Sequence, residues 1–322
     1  MRTAFITGIG GQDGSYLAEL LLREGYRVVG TVNGSVRSRH PKIEHLRESI
    51  TLADVSLVDR LALERALELY APEEFYNLAA FHPASSQSQI DPVLISEMNG
   101  VAVVKILEAI RAVGTMTKLC QASTALMYGS PTTSPQDEET PFHPTNPYAI
   151  AKAFAHCNVA YYRDVHGVHA SSCILFNHES PRRSEKFVTR KISMAVARIK
   201  ACLQQELELD NLDARRDWGY APDYVHAMWQ MLQRNCGDDY VIATGKTHSV
   251  RDFCRIAFEH VGLDYERYVL QSVARYVPAE AVALTGNSRK AHETLGWRRT
   301  LEFEELVCDM VDADMALIMN QS

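Results

Sequence analysis

Short apolar runs and helical periodicities alternate along the first half of the chain. Runs at 2–7, 26–31, 49–54, 74–80 and 118–123 have the length of buried strands, and apolar residues recur at helical intervals over 15–24, 101–113 and 149–165. Near-continuous apolar strands separated by helix-length segments predict a parallel sheet covered on both faces, the doubly wound α/β architecture of the Rossmann type. Further strands are expected at 171–176 and 239–244, and further helices at 223–233, 250–261 and 301–317. The chain beyond Asn177 leaves the alternation, so a smaller mixed α/β lobe is expected. On this reading 1–178 and 216–250 form the sheet domain, and 179–215 and 251–322 form the lobe.

The link between the first strand and the first helix carries the first chemical signal. It reads Gly8-Ile9-Gly10-Gly11-Gln12-Asp13-Gly14, with Gly8, Gly11 and Gly14 in a G-x-x-G-x-x-G spacing. A tight turn, a close backbone approach to a pyrophosphate and close packing of helix on strand each call for a residue without Cβ. The helix N-terminus then offers free N–H groups to phosphate. A dinucleotide site is therefore expected here. The end of the second strand ordinarily selects the cofactor, an acid favouring NAD and an arginine NADP. Here Val32-Asn33-Gly34-Ser35-Val36-Arg37-Ser38-Arg39 contains no acid, and Arg37 and Arg39 lean the expectation towards NADP, a solvated basic loop being the alternative. Asp54 is expected at the adenine edge. Ala79 and Ala80 are small enough to let a cofactor lie against the backbone.

Composition narrows the class. The 322 residues are 46% hydrophobic with a net charge of −7, which fits a soluble globular chain and gives no basic footprint for nucleic acid. Seven scattered cysteines show neither C-x-x-C spacing nor a histidine cluster, so reduced thiols in a cytoplasmic protein are expected, with no metal site. The chain opens on a strand and has no apolar run of membrane-spanning length, so neither a signal peptide nor a membrane anchor is expected.

The second chemical signal is Tyr148-Ala149-Ile150-Ala151-Lys152, placed at a helix start after Pro147 and preceded by a strand ending at Ser123-Thr124. Residues four apart share a helix face. An ammonium beside a phenol favours the phenolate, so Lys152 is expected to lower the Tyr148 pKa and let Tyr148 act as a base towards a sugar hydroxyl. A basic stretch, Arg182, Arg183, Lys186, Arg190 and Lys191, is expected over a diphosphate, since arginine matches phosphate geometry bidentately.

These motifs together resemble the extended short-chain dehydrogenase/reductase family and, within it, the GDP-mannose 4,6-dehydratases. The resemblance rests on TGIGGQDGSYLAELL from Thr7, FYNLAA from Phe75, QAST from Gln121, LFNHESPRR from Leu175, FVTRKI from Phe187, RDWGYAPDYV from Arg216, VIATG from Val241 and LGW from Leu295. It implies a retained cofactor that takes a hydride from C4 of a nucleotide-linked hexose and returns it to C6 after loss of water. It also implies cofactor contacts at Gly8, Gly11, Gln12, Asp13, Asp54, Ala79, Tyr148 and Lys152, and nucleotide-sugar contacts from Asn177, Glu179, Val188, Lys191 and Arg216. A homodimer or homotetramer built on the helices from Val101 and Tyr148 follows from the same resemblance.

The departures from that pattern are specific. The family reads S-T-S-E after the active-site strand, and its glutamate handles the C5 proton and the departing C6 hydroxyl; here Leu126 holds that place. Leucine moves no proton, so elimination is expected to lose about 10²–10⁴-fold of acid/base help. His82, after FYNLAA, is a titratable newcomer able to replace it, an ordinary loop histidine being the alternative. The family's R-P-A-E is Val277-Pro278-Ala279-Glu280, with Glu280 kept and the arginine lost, Arg275 lying two residues earlier; its paired arginines after the second strand are Asn33-Gly34. The expected catalytic set is thus Thr124, Tyr148 and Lys152, with His82 beside them. The expected activity is a C4 epimerase or 4-keto-sugar reductase, the alternatives being a dehydratase with a relocated acid/base or a catalytically silent relative.

Overall fold

The computed structural model describes residues 1–81, 91–114, 116–272 and 284–320. Its centre is a seven-stranded sheet in which every pair is parallel. From one edge to the other run Asp239–Ile242, β6 (Ala170–Leu175), β5 (Lys118–Thr124), β4 (Glu74–Asn77), β1 (Thr3–Thr7), β2 (Arg27–Gly30) and β3 (Ile50–Leu52). The order reverses between β1 and β4, and in such sheets a ligand crevice opens beyond the strand carboxyl ends at that point. Helices α1 (Gln12–Arg23), α2 (Arg60–Tyr70), α4 (Ala102–Val113) and α5 (Pro147–His166) provide the crossovers that parallel strands require. The short α3 (Pro92–Ser96) and one π-type turn, Glu97–Val101, lead into α4.

Each face of the sheet buries a different stripe. Leu17, Leu21, Val225, Met228 and Met231 join α1 and α7 (Ala221–Leu232) to one face; Leu63, Leu67, Ile106, Leu107 and Val159 bring α2, α4 and α5 to the other. A separate core joins α6 (Val188–Lys200), α8 (Val250–His260) and α10 (Phe303–Met319) through Ile192, Val196, Phe253, Phe258, Val307 and Met310. Full burial of one such side chain stabilises by about 1.5–3 kcal/mol, enough for this second core to hold the basic stretch against the sheet domain. The remaining helix, α9 (Arg289–Leu295), sits near the C-terminal end of the chain.

Several boundaries differ from expectation. α1 starts at Gln12 and not at 15, because Gly14 belongs to the helix's first turn. β3 and β4 stop at Leu52 and Asn77, short of the expected 54 and 80. Helices α2 and α6 fall outside the expected set. In α6 the charges mask an amphipathic pattern, since Arg190 is itself buried in an ion pair with Asp314 of α10.

Candidate active site

The glycine link forms a cradle. Gly8 adopts φ +69°, in the left-handed region, and a Cβ there would lie 3.0 Å from Ala79 Cα. A Cβ on Gly14 would lie 2.4 Å from the Gly8 oxygen and 2.6 Å from Ile9 Cα, which no side chain can occupy. Gly11 precedes the first turn of α1, its amide donating to the Gly8 oxygen at 2.9 Å. The end of β4 is pinned beside it: Thr7 Oγ1 donates to Asn77 Oδ1 at 2.7 Å and accepts from the amides of Leu78 and Ala79. A cleft of about 500 Å³ opens over this cradle, bounded by Gly8, Gly11, Val32, Asn33, Leu57 and Ala79. Backbone without Cβ at a helix N-terminus beside an apolar slot suits a pyrophosphate flanked by an adenosine and a nicotinamide half, so these residues fit a dinucleotide.

Of the other expected cofactor residues, Gln12 and Asp13 line a smaller pocket with the glycines, whereas Arg37 and Asp54 do not. Gln12 and Asp13 lock the cradle to the strand β7 (Asn177–Glu179) and its continuation. Gln12 Nε2 donates to the His178 carbonyl at 3.1 Å, Ser180 Oγ donates to Gln12 Oε1 at 2.9 Å, and Asp13 Oδ2 pairs with His178 Nε2 at 2.9 Å. Burial alone would raise the Asp13 carboxyl, yet the His178 charge and its hydrogen bond bring it down to about 2; burial likewise opposes His178 protonation, and Asp13 overrides it and raises the imidazole. Arg37 and Asp54 are exposed, and neither lines the cleft. Lys42 and Arg183 join Asp13 in a smaller pocket of about 180 Å³ beside the glycines. Lys42 has no motif around it that would single it out in the sequence. Burial, then Arg190, lower its ammonium, so two cations meet where an anion is expected.

Tyr148 and Lys152 share the first turns of α5, which Pro147 opens and Asn146 caps by accepting from the Ala149 amide at 2.9 Å. Lys152 is only 3% exposed, and its Nζ donates to the Ala122 carbonyl of β5 at 2.9 Å. Burial lowers its ammonium to about 8. The expected activation of Tyr148 is not found. Its phenol is raised above the ordinary value by burial, against a smaller downward pull from Arg183. Lys152 Nζ lies 5.9 Å from the Tyr148 ring centre and gives one of its three N–H groups to the Ala122 carbonyl.

The strand end behind this pair is as expected up to Thr124, whose Oγ1 accepts from the Leu126 amide at 3.3 Å. The buried Ser123 hydroxyl has no hydrogen-bond partner among the described residues. Leu126 is half-buried against the apolar cluster of Ala125, Met127 and Tyr128, joined there by Phe142. His82, Glu280 and Arg275 lie outside the described residues.

The expected nucleotide-sugar residues fall on two sides of the basic segment. Asn177 and Glu179 bound β7, which pairs in parallel with Trp218–Tyr220. Glu179 is buried, its Oε2 accepting from Thr189 Oγ1 at 2.6 Å and facing Arg183 Nε at 3.1 Å, so its carboxylate anchors the start of α6. Val188 is the first residue of α6, packed on the second core. Lys191 is exposed and donates to the Glu208 carbonyl at 2.6 Å. Arg216 lies on the short strand Arg215–Arg216, opposite His248.

Residues 5–310 match the family model described as GDP-mannose 4,6 dehydratase. The chain is 43% identical to "GDP-mannose 4,6 dehydratase 2" of Arabidopsis thaliana, over 98% of this chain and 87% of that one. It is 41% identical to the GDP-mannose 4,6-dehydratase of Sinorhizobium fredii, over 98% and 97% respectively. Among solved structures it is similar to a Thermus thermophilus UDP-glucose 4-epimerase in complex with NAD, with a TM-score of 0.83 and 26% identity over 97% of this chain and 98% of that one. A Bacillus anthracis dTDP-glucose 4,6-dehydratase shares the fold, with a TM-score of 0.84 and 18% identity over 97% and 96%.

Proposed function

Because the chain belongs to the GDP-mannose 4,6 dehydratase family, we propose that it acts on C4 of a GDP-linked hexose, with GDP-mannose the first substrate to try. That it is an NAD(P)-dependent enzyme modifying a nucleotide sugar follows from the family. The relatives' names favour dehydration over the epimerase or reductase reading expected from the sequence. The observation that carries the proposal is the pair Tyr148 and Lys152 on one turn of α5, set beside a glycine cradle shaped for a dinucleotide.

When bound, a nicotinamide cofactor would supply the acceptor for the C4 hydride. Gly8, Gly11 and Gly14 would hold its pyrophosphate close to the backbone, and Lys152 is the residue that would hold its nicotinamide ribose. Tyr148 takes the C4 hydroxyl proton, a role that calls on the bound cofactor and sugar to offset the burial that raises its phenol, with Thr124 holding that hydroxyl. Arg183 and Lys42 face the phosphates, while Asn177, Val188, Lys191 and Arg216 border the nucleotide sugar. Loss of water also needs a group to remove the C5 proton. Leu126 cannot supply it, so dehydration is slow or depends on another acid/base such as His82; that apolar place keeps epimerisation and 4-keto reduction as the second reading.

The chain divides functionally as 1–178 with 216–250 for the dinucleotide and 179–215 with 251–322 for the nucleotide sugar. It assembles as a homodimer or homotetramer, for which Ile150, Phe154, Tyr161 and Val165 speak: all four are exposed large hydrophobics, each about half accessible, on one stripe of α5. Among the described residues no helix is long and apolar enough to cross a membrane. Incubation with GDP-mannose, followed by product mass, tests the proposal: a product lighter by one water, or a C4-altered hexose, supports it. An unchanged sugar with both ligands bound would leave a silent relative.

A further inference from the structure

We propose that His40 reads the 2′ position of the cofactor's adenosine ribose and selects NAD(H) over NADP(H). The inference rests on the dinucleotide reading of the cleft and adds the residue that chooses between the two forms. Strand β2 ends at Gly30, and the place where an acid commonly receives the ribose hydroxyls is taken by Thr31, Val32 and Asn33. Among the described residues lining the cleft there is no carboxylate and no arginine, and the one titratable group is His40. Arg37 and Arg39, on which the NADP expectation rested, are exposed and border none of it.

The orientation of the ring is set by the loop itself. His40 Nε2 lies 3.0 Å from the Ser35 carbonyl oxygen, which can only accept, so Nε2 carries the proton. In the tautomer this bond selects, Nδ1 is the acceptor, and it is the edge that faces the cradle, 3.8 Å from where a Cβ on Gly10 would stand. An acceptor at that edge takes a hydrogen bond from a ribose hydroxyl, and its lone pair repels the oxygens of a 2′-phosphate. His40 thus stands in the role of the missing acid. Gly8, Gly10, Val55 and Leu57 bring no side-chain donor to the cleft; Thr31 and Asn33 also line it with uncharged groups able to donate.

Calorimetric titration of the full chain with NADH and with NADPH tests this. Wild-type protein should bind both, NADH the tighter. His40→Ala should weaken NADH by about five-fold, the worth of one neutral hydrogen bond, and leave NADPH equal or tighter. His40→Asp, which restores an acceptor and adds a negative charge, should recover NADH binding and weaken NADPH further. A ratio of the two affinities unchanged in His40→Ala would overturn the assignment, as would a ratio that moves in Arg37→Ala but not in His40→Ala. Failure of wild-type protein to bind either dinucleotide would overturn the dinucleotide reading of the cleft together with it.

Discussion

Replacing Lys152 by methionine should stabilise the dinucleotide-free protein while removing its activity. Lys152 is held in a buried position where its ammonium donates to the Ala122 carbonyl, and burial brings that ammonium from 10.5 down to about 8. The displacement corresponds to a penalty on the order of 3 kcal/mol on the charged form. Methionine has a similar length and no charge; the Ala122 carbonyl keeps the Gln121 Nε2 donor at 2.7 Å and loses only the ammonium's, an offset of about 1 kcal/mol. The net gain is roughly 2 kcal/mol at neutral pH, worth a few degrees in Tm. The sign with pH follows from linkage: the folded pKa is depressed, so the unfolded chain binds more protons between about 8 and 10.5, and wild-type stability rises across that window. The variant lacks this rise of about 3 kcal/mol, so its lead of about 2 kcal/mol should close within that window and reverse by about 1 kcal/mol near pH 10.5. Scanning calorimetry of both proteins from neutral to alkaline pH checks it. A Lys152→Met protein that melts below wild type at neutral pH, or a gap that does not close on alkalinisation, would refute the burial argument.

Leu126→Glu places a carboxylate where the family holds its acid/base, at the cost of about 1 kcal/mol of half-buried apolar contact. It should raise water loss from GDP-mannose by about 10²-fold or more, with C5 proton exchange into deuterated solvent rising in parallel; unchanged exchange in a folded variant would count against the assignment. Gly14→Ala drives a Cβ to 2.4 Å from the Gly8 oxygen and should abolish dinucleotide binding, as titration by fluorescence would show. For His178→Asn the pH course is definite. The raised His178 contributes stability that is present below about 6.5 and lost as pH rises through its folded value, and the depressed Asp13 contributes stability present above 3.8 and lost as pH falls through about 2. The wild-type advantage in Tm, read by scanning calorimetry, should therefore be widest between those limits and shrink on either side.

What the sequence made legible was local. The glycine link, Pro147 and the Y-x-x-x-K spacing each specify geometry within a few residues, and the cradle and the α5 pair stand where they were expected. The reading failed where a distant partner decides. Lys152 answers to Ala122, thirty positions earlier in the chain, and the Tyr148 phenol is raised by burial. For Gln12 and Asp13 the sequence missed the partners His178 and Ser180, while both residues line the pocket beside the glycines. Helix α6 was hidden because a buried Arg190–Asp314 pair puts charge on an inward face. His40 sits in a loop without periodicity, where only the fold brings it to Gly10.

The central claim is that C4 of a GDP-linked hexose is oxidised with the hydride going to bound nicotinamide and the hydroxyl proton to Tyr148, beside Lys152. Rapid mixing of the NAD-loaded protein with GDP-mannose, followed in the near ultraviolet where only reduced nicotinamide absorbs, measures that step whatever follows it. Because Leu126 holds back elimination, the account predicts a rise to a substantial fraction of the bound cofactor in wild type, and about 10²-fold slower or no rise in Tyr148→Phe. A wild-type protein that binds both ligands and shows neither absorbance change nor altered sugar, or a Tyr148→Phe protein that reacts as fast, would contradict it.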